Sequence, residues 1–273
     1  MTEDLAAVRA RIHGVQQLDA VIGAMRGIAA AYAQQSRELL PGVRAYSSVV
    51  GHGMAQALRL QDGGVRSNDE RGGLARIVFC AEQGFVGGFT EHVLAVAAAH
   101  PPADVFLLGT RGLLFAPTHR IVPVWQSAMA TQPAGISGLC MRVAEALYEW
   151  MSTRKPCGVE VVYPTWSRGA SVAVACESLL PLDPTRFPVA QETPPLTTLP
   201  PQELLEGLAE EYIFAALCEA AMHAFVAENE ARAAAMVRAR TKVLDMRAEL
   251  TLTEHRVRQE AITAELIELA SAT

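Results

Sequence analysis

The sequence predicts an α/β protein in which long N- and C-terminal helices form an antiparallel coiled coil around a central Rossmann-like α/β domain. Three observations predict it. The first 40 residues contain no proline, and Leu5, Val8, Ile12, Val15, Leu18, Ile22 and Met25 recur at spacings of three or four. The middle of the chain alternates apolar, β-rich runs with helical stretches. The last 72 residues, 202–273, again lack proline and hold one glycine, Gly207.

Taken in order, residues 1–60 read as an N-terminal shaft helix. Pro41-Gly42 is expected to bend or briefly interrupt it, because proline removes an amide donor and clashes with the preceding turn. Residues 61–74 read as a polar, glycine-rich linker. In the α/β domain, residues 75–180, strands are expected at 75–80, 105–108, 121–124, 159–163 and 172–176, with helices near 91–99 and 138–151. Seven prolines between Pro181 and Pro201 mark an extended return connection.

The C-terminal shaft helix, 202–273, is too long to be held by propensity alone and needs a partner along a stripe. Met236, Val243, Leu250, Val257 and Ala264 supply that stripe at steps of seven, with Ala239 and Met246 three further on. Small residues, among them Gly23, Gly27, Ala29, Ala30, Ala31 and Ala231, Ala233, Ala234, Ala235, are expected to let the two helices approach closely.

Composition narrows the function. The chain has 273 residues, a formal net charge of −6 and 51% hydrophobic residues, which disfavours both a basic nucleic-acid protein and a disordered acidic tail. No run of about 18 apolar residues is present, so no direct membrane insertion is expected. The start, Met1-Thr2-Glu3-Asp4, lacks the basic and apolar regions of a signal peptide. Five scattered cysteines form no Cys-x-x-Cys pair and read as small buried hydrophobes, and the seven histidines show no ligand spacing. Neither a metal, a cofactor nor a catalytic residue is expected.

Four motifs carry a resemblance. Arg258-Gln259-Glu260-Ala261-Ile262-Thr263-Ala264-Glu265-Leu266 is similar to the Arg-Gln-x-x-Ile-Thr-x-Glu-Leu signature of the gamma subunits of F-type ATP synthases. Val21-Ile22-Gly23-Ala24-Met25-Arg26-Gly27-Ile28-Ala29-Ala30 resembles the N-terminal Ile-Thr-x-Ala-Met-x-Met-Val-Ala-Ala of that family. Glu228, Arg232 and Ala235-Met236 align with Ser-Glu-x-x-x-Arg-Met-x-Ala-Met, and Glu82 to Thr90 is similar to Asp-Arg-Gly-Leu-Cys-Gly-Gly-Leu-Asn. The middle turn departs from that pattern, Lys242 stands where the family often has Asn, and Lys is almost wholly replaced by Arg. These departures point to a divergent, alternate branch that is sometimes sodium-linked, although ion choice resides in the membrane ring.

The resemblance implies a central rotor stalk that couples ion-driven rotation of the membrane ring to ATP synthesis or hydrolysis in partner subunits. The implied partners are the alpha and beta subunits of the catalytic ring, the epsilon subunit and the membrane c-ring. The implied place is peripheral, on the cytoplasmic face of the inner (plasma) membrane. Arg258 and Gln259 would touch a loop of a catalytic subunit, and Met25 and Arg26 its lever region. Ile262, Leu266, Ile267 and Leu269 would lie in an apolar bearing, with Glu228 and Arg232 lower on the shaft.

Two rivals stay open. In an enzyme reading, Glu82 to Gly88 would be a phosphate-cradling turn after the first strand, yet it matches no phosphate-loop pattern and has no lysine near it. In a scaffold reading, the Ala-rich helices would bind another helix and the α/β segment would be a docking module.

Overall fold

The computed structural model describes residues 5–60, 72–154, 156–165, 173–183, 187 and 196–271. The elements run α1 (Leu5–Arg59), β1 (Gly73–Phe79), α2 (Phe89–Ala99), β2 (Asp104–Leu108), α3 (Thr110–Phe115), β3 (Pro123–Ser127), α4 (Ile136–Thr153), β4 (Pro156–Thr165), β5 (Ala173–Leu180) and α5 (Pro201–Ser271). Two compact units result: Met1–Ala30 with Arg232–Thr273, and Ala31–Ala231. The division cuts both long helices, so each unit contains a stretch of α1 and a stretch of α5.

In the first unit, α1 and α5 pair antiparallel. Arg9 bonds Glu254 at 2.8 Å and Asp19 bonds Arg240 at 2.9 Å, so one helix ascends in number as the other descends. Both arginines are half exposed, so these pairs fix register and add under about 1 kcal/mol each. Stability comes from the seam. Val8, Val15, Ile22 and Ala29 are buried at steps of seven, facing the buried Met236 and Val243 and the half-buried Leu250.

Two sequence expectations for this seam fail. A Cβ added at Gly23 or Gly27 would meet open space, so these glycines are not what brings the helices together. Of the alanines expected at the contact in this unit, Ala29 is buried, Ala30 and Ala234 are exposed, and Ala233 and Ala235 lie between. Met246, expected in the seam, is 49% exposed, because a two-helix seam covers only a narrow stripe and this residue falls outside it.

The second unit is built on a five-stranded sheet in the order β3-β2-β1-β4-β5. The first four strands are parallel and β5 returns antiparallel to β4. Side chains alternate between two buried faces, which is why the central strands are continuous apolar runs. Ile77, Phe79, Phe106, Leu108, Val159 and Val161 pack under α4 and the middle of α5, with Leu139, Leu147, Leu217 and Phe225 among their partners. Val78, Cys80, Val105, Leu107 and Val162 pack under α2, against Val93 and Leu94.

Of the bend or brief interruption expected at Pro41-Gly42, the interruption does not occur: α1 runs on through Pro41. The adjoining Leu40 is buried in the sheet core and Val43 packs against it, and this packing offsets the roughly 3 kcal/mol that an interior proline costs. The strand expected at 121–124 is shifted to Pro123–Ser127, and α3 was not anticipated at all. Its six residues are too few to show a helical period. The linker expected at 61–74 falls outside the described residues for 61–71, with β1 beginning at Gly73. Much of the proline-rich 181–201 stretch also lies outside the described residues.

A polar cluster around the buried His223 joins α1 to α5 in the second unit. Arg44 Nη2 donates to His223 Nε2 at 3.0 Å, and Arg44 Nε donates to Glu219 at 3.3 Å. A guanidinium only donates, so Nε2 accepts and the ring proton sits on Nδ1, which is buried without a partner. Burial, and then the charge of Arg44, hold the His223 pKa below its ordinary 6.5, against the opposing pull of Glu219 and Glu177. The folded state therefore resists protonation, so this contribution to stability is present above pH 6.5 and is lost as pH falls below it. The denaturation midpoint of the wild type is expected to fall more steeply below pH 6.5 than that of His223→Gln. Equal slopes would remove His223 from the account.

Candidate functional site

The residues singled out by the sequence divide into two kinds. From Arg258 to Ser271 every residue of α5 is exposed while the helix continues unbroken. Arg258 and Gln259 stand at the start of this stretch. Ile262, Leu266 and Leu269 follow at spacings of four and three, 49%, 62% and 68% exposed, with Ile267 beside them at 64%. A contiguous exposed apolar stripe of this kind is unusual on a monomer's surface.

On α1 a comparable stripe runs through Leu18, Val21 and Ile28, which are 47%, 55% and 57% exposed. Met25 lies within it but is half-buried against the seam, while Arg26 is exposed. Sequence reasoning did not single out Val21 and Ile28 as surface residues. The only signal was that they lie off the heptad occupied by Val15, Ile22 and Ala29.

Glu228 and Arg232 differ from the rest. They are 4% and 6% exposed, so neither presents a surface to a partner through its side chain. The Glu228 carboxylate accepts the backbone amides of Glu82 and Gln83, each at 3.1 Å, and so ties α5 to the loop after β1. Glu82 continues the chain of clamps. Its carboxylate accepts Thr110 N at 3.1 Å, Thr110 Oγ1 at 2.6 Å and Met129 N at 2.7 Å.

These clamps bear on the phosphate-cradle rival, which needs free amides at the C-terminal edge of a parallel sheet. Here the amides of Glu82, Gln83, Thr110 and Met129 are already taken by carboxylates. Two carboxylates at this edge also repel a phosphate. The turn itself is shaped by geometry: Gly87 has φ +64°, and Gly109, at φ +97°, lies so close to Cys80 O that a Cβ would collide with it. Burial and the charge of Glu228 push the nearby Cys80 thiol well above its usual range.

The cysteines correct one expectation. All five are free thiols, but only Cys80, Cys140 and Cys218 are buried. Cys157 and Cys176 are half-buried: Cys157 lies at the start of β4, and Cys176 lies on β5, an edge strand of the sheet. Cys140 on α4 and Cys218 on α5, distant in sequence, lie in the same buried core.

Comparison with known proteins agrees with this architecture. The chain is 23% identical to the ATP synthase gamma chain of Geotalea uraniireducens, over 98% of this chain and 97% of that one. It is 26% identical to the ATP synthase gamma chain of Caldicellulosiruptor saccharolyticus, over 97% and 96%. Among solved structures it resembles a chain of the Euglena gracilis mitochondrial ATP synthase rotor, with a TM-score of 0.66 at 16% identity, covering 94% of this chain and 98% of that one. A chain of the Tetrahymena thermophila mitochondrial ATP synthase central stalk and c-ring matches with a TM-score of 0.57 at 13% identity, covering 80% and 99%. No described helix is long and apolar enough to cross a membrane. The family model described as ATP synthase matches residues 4–273, and the chain belongs to that family.

Proposed function

We propose that this chain is the central rotor stalk subunit of an F-type ATP synthase, transmitting rotation between the membrane ring and the subunits that carry out ATP chemistry. The observation that carries the reading is the pair of solvent-facing apolar stripes, one on α1 and one on α5, in a chain that matches the family over residues 4–273. A stalk of this kind acts by differential contact. Its surface is asymmetric, so each catalytic subunit meets a different face at each angle, and the difference in contact energy shifts that subunit between its states.

On this reading the paired helices of the first unit lie within the ring of alpha and beta subunits, with Arg26, Arg258 and Gln259 reaching partner loops. Ile262, Leu266, Ile267 and Leu269 form the apolar bearing. The α/β unit contacts the epsilon subunit and the c-ring, which places the chain peripherally on the cytoplasmic face of the inner (plasma) membrane. Met25 helps to hold the seam, so Arg26 is the cleaner probe of the lever contact. Glu228 and Arg232 serve inside the chain, since both side chains are buried.

The test is co-purification of the tagged chain from its host, with partner stoichiometry and ATP hydrolysis measured on the complex. One copy per three pairs of nucleotide-binding subunits, with coupled hydrolysis lost in its absence, is the expected result. Recovery with unrelated coiled-coil partners would replace the rotor by a scaffold.

A further inference from the structure

His100, Glu160 and Cys176 come from three different elements and converge on the α2 face of the sheet. His100 caps the C-terminus of α2, Glu160 lies on β4 and Cys176 on β5. In the antiparallel pairing, Cys176 stands opposite Val162 and Glu160 lies two residues before Val162, so both side chains project from the same face. One donor atom from each of the three residues lies within 4.8 Å of the others, and Cys176 Sγ is 3.9 Å from His100 Nδ1.

The carboxylate is held in place. Arg76 is buried beside it on β1 and donates Nε at 3.1 Å and Nη2 at 2.9 Å, both to Glu160 Oε2, while its Nη1 reaches Ala97 O. Glu160 Oε1 has no hydrogen bond among the described residues, so one oxygen remains for another ligand. An outer partner that fixes one carboxylate oxygen and leaves the second available is the arrangement expected around a metal.

We propose that His100, Glu160 and Cys176 form a binding site for a late divalent transition metal of the zinc class, with water in the remaining position. The donor set argues for that class. Thiolate and imidazole select borderline-soft ions over magnesium and calcium, which take oxygen ligands. A tetrahedral zinc site asks for about 3.6 Å between sulfur and nitrogen, close to the 3.9 Å between Cys176 Sγ and His100 Nδ1. All three residues are half-buried, which leaves an entry path from solvent. On binding, the Cys176 thiol proton passes to solvent and the sulfur lone pair forms the metal bond.

The test uses the full-length chain, stripped of metal, titrated with Co2+ and followed by absorbance. One equivalent of Co2+ with a sulfur-to-cobalt charge-transfer band, displaced by Zn2+, is expected. Cys176→Ser should abolish the band and His100→Ala should weaken binding at least about tenfold, while Cys157→Ser leaves both unchanged. Far-UV circular dichroism identifies any variant that fails to fold, in which case Cys176→Ala and His100→Gln take its place. Absence of the band, its survival without the Cys176 thiol, or equal affinity after loss of the His100 imidazole would each overturn the site.

Discussion

Removal of residues 258–273 is expected to leave the protein folded and to lower ATP-driven ion pumping by the assembled complex on the order of tenfold. The two halves of this result have separate causes. From Arg258 to Ser271 every residue is exposed, and the α5 seam residues Met236, Val243 and Leu250 all precede this stretch, so truncation there removes none of them. Unfolding midpoints should therefore stay within about 0.5 kcal/mol of the full chain, the usual range for surface changes. The same truncation removes Ile262, Leu266, Ile267 and Leu269, the exposed apolar stripe proposed as the bearing. A coupling of 1 to 2 kcal/mol between rotor angle and catalytic state corresponds to roughly a tenfold effect. Pumping per ATP at the full-length level would show that this stripe is not a bearing.

Glu228→Ala is expected to destabilise the protein by about 3 to 5 kcal/mol, because hydrogen bonds to a charged group contribute about 1.5 to 3 kcal/mol each. Glu228 is 4% exposed and accepts two backbone amides, and after truncation to alanine neither Glu82 N nor Gln83 N retains that partner. The effect should spread, since the Glu82 side chain in turn holds Thr110 and Met129. Glu228→Gln keeps one acceptor oxygen and should cost about half as much. Denaturant titration reads both variants. A loss under about 1 kcal/mol for the alanine variant would mean that water replaces the carboxylate and that the clamp is not structural.

Glu228 also shows where sequence reasoning reached its limit. The motif around it was legible, and so was its place on a long helix, but whether its carboxylate faces a partner or the chain itself depends on what packs alongside. The loop after β1 lies 145 residues away in sequence and is brought to Glu228 only by the tertiary fold. Cys176 and His100 are a second case. Nothing in their spacing suggests a shared site, and the pairing of β4 with β5 is what places Cys176 beside Glu160.

Val8, Val15 and Ile22, among the apolar positions at spacings of three or four in α1, and Met236, Val243 and Leu250 at steps of seven in α5, were legible in the sequence because a helix repeats its buried face at a fixed period. The alternation of apolar strands with helices was also legible, and it predicted an α/β domain with a mainly parallel sheet, as found for four of the five strands. What the tertiary structure alone decided are the features that local pattern does not encode. It carried α1 through Pro41, added the six-residue α3, exposed Met246, and turned Glu228 and Arg232 inward. Periodicity is a property of one element, whereas each of these outcomes is set by free energies of packing and hydrogen bonding between elements far apart in the chain.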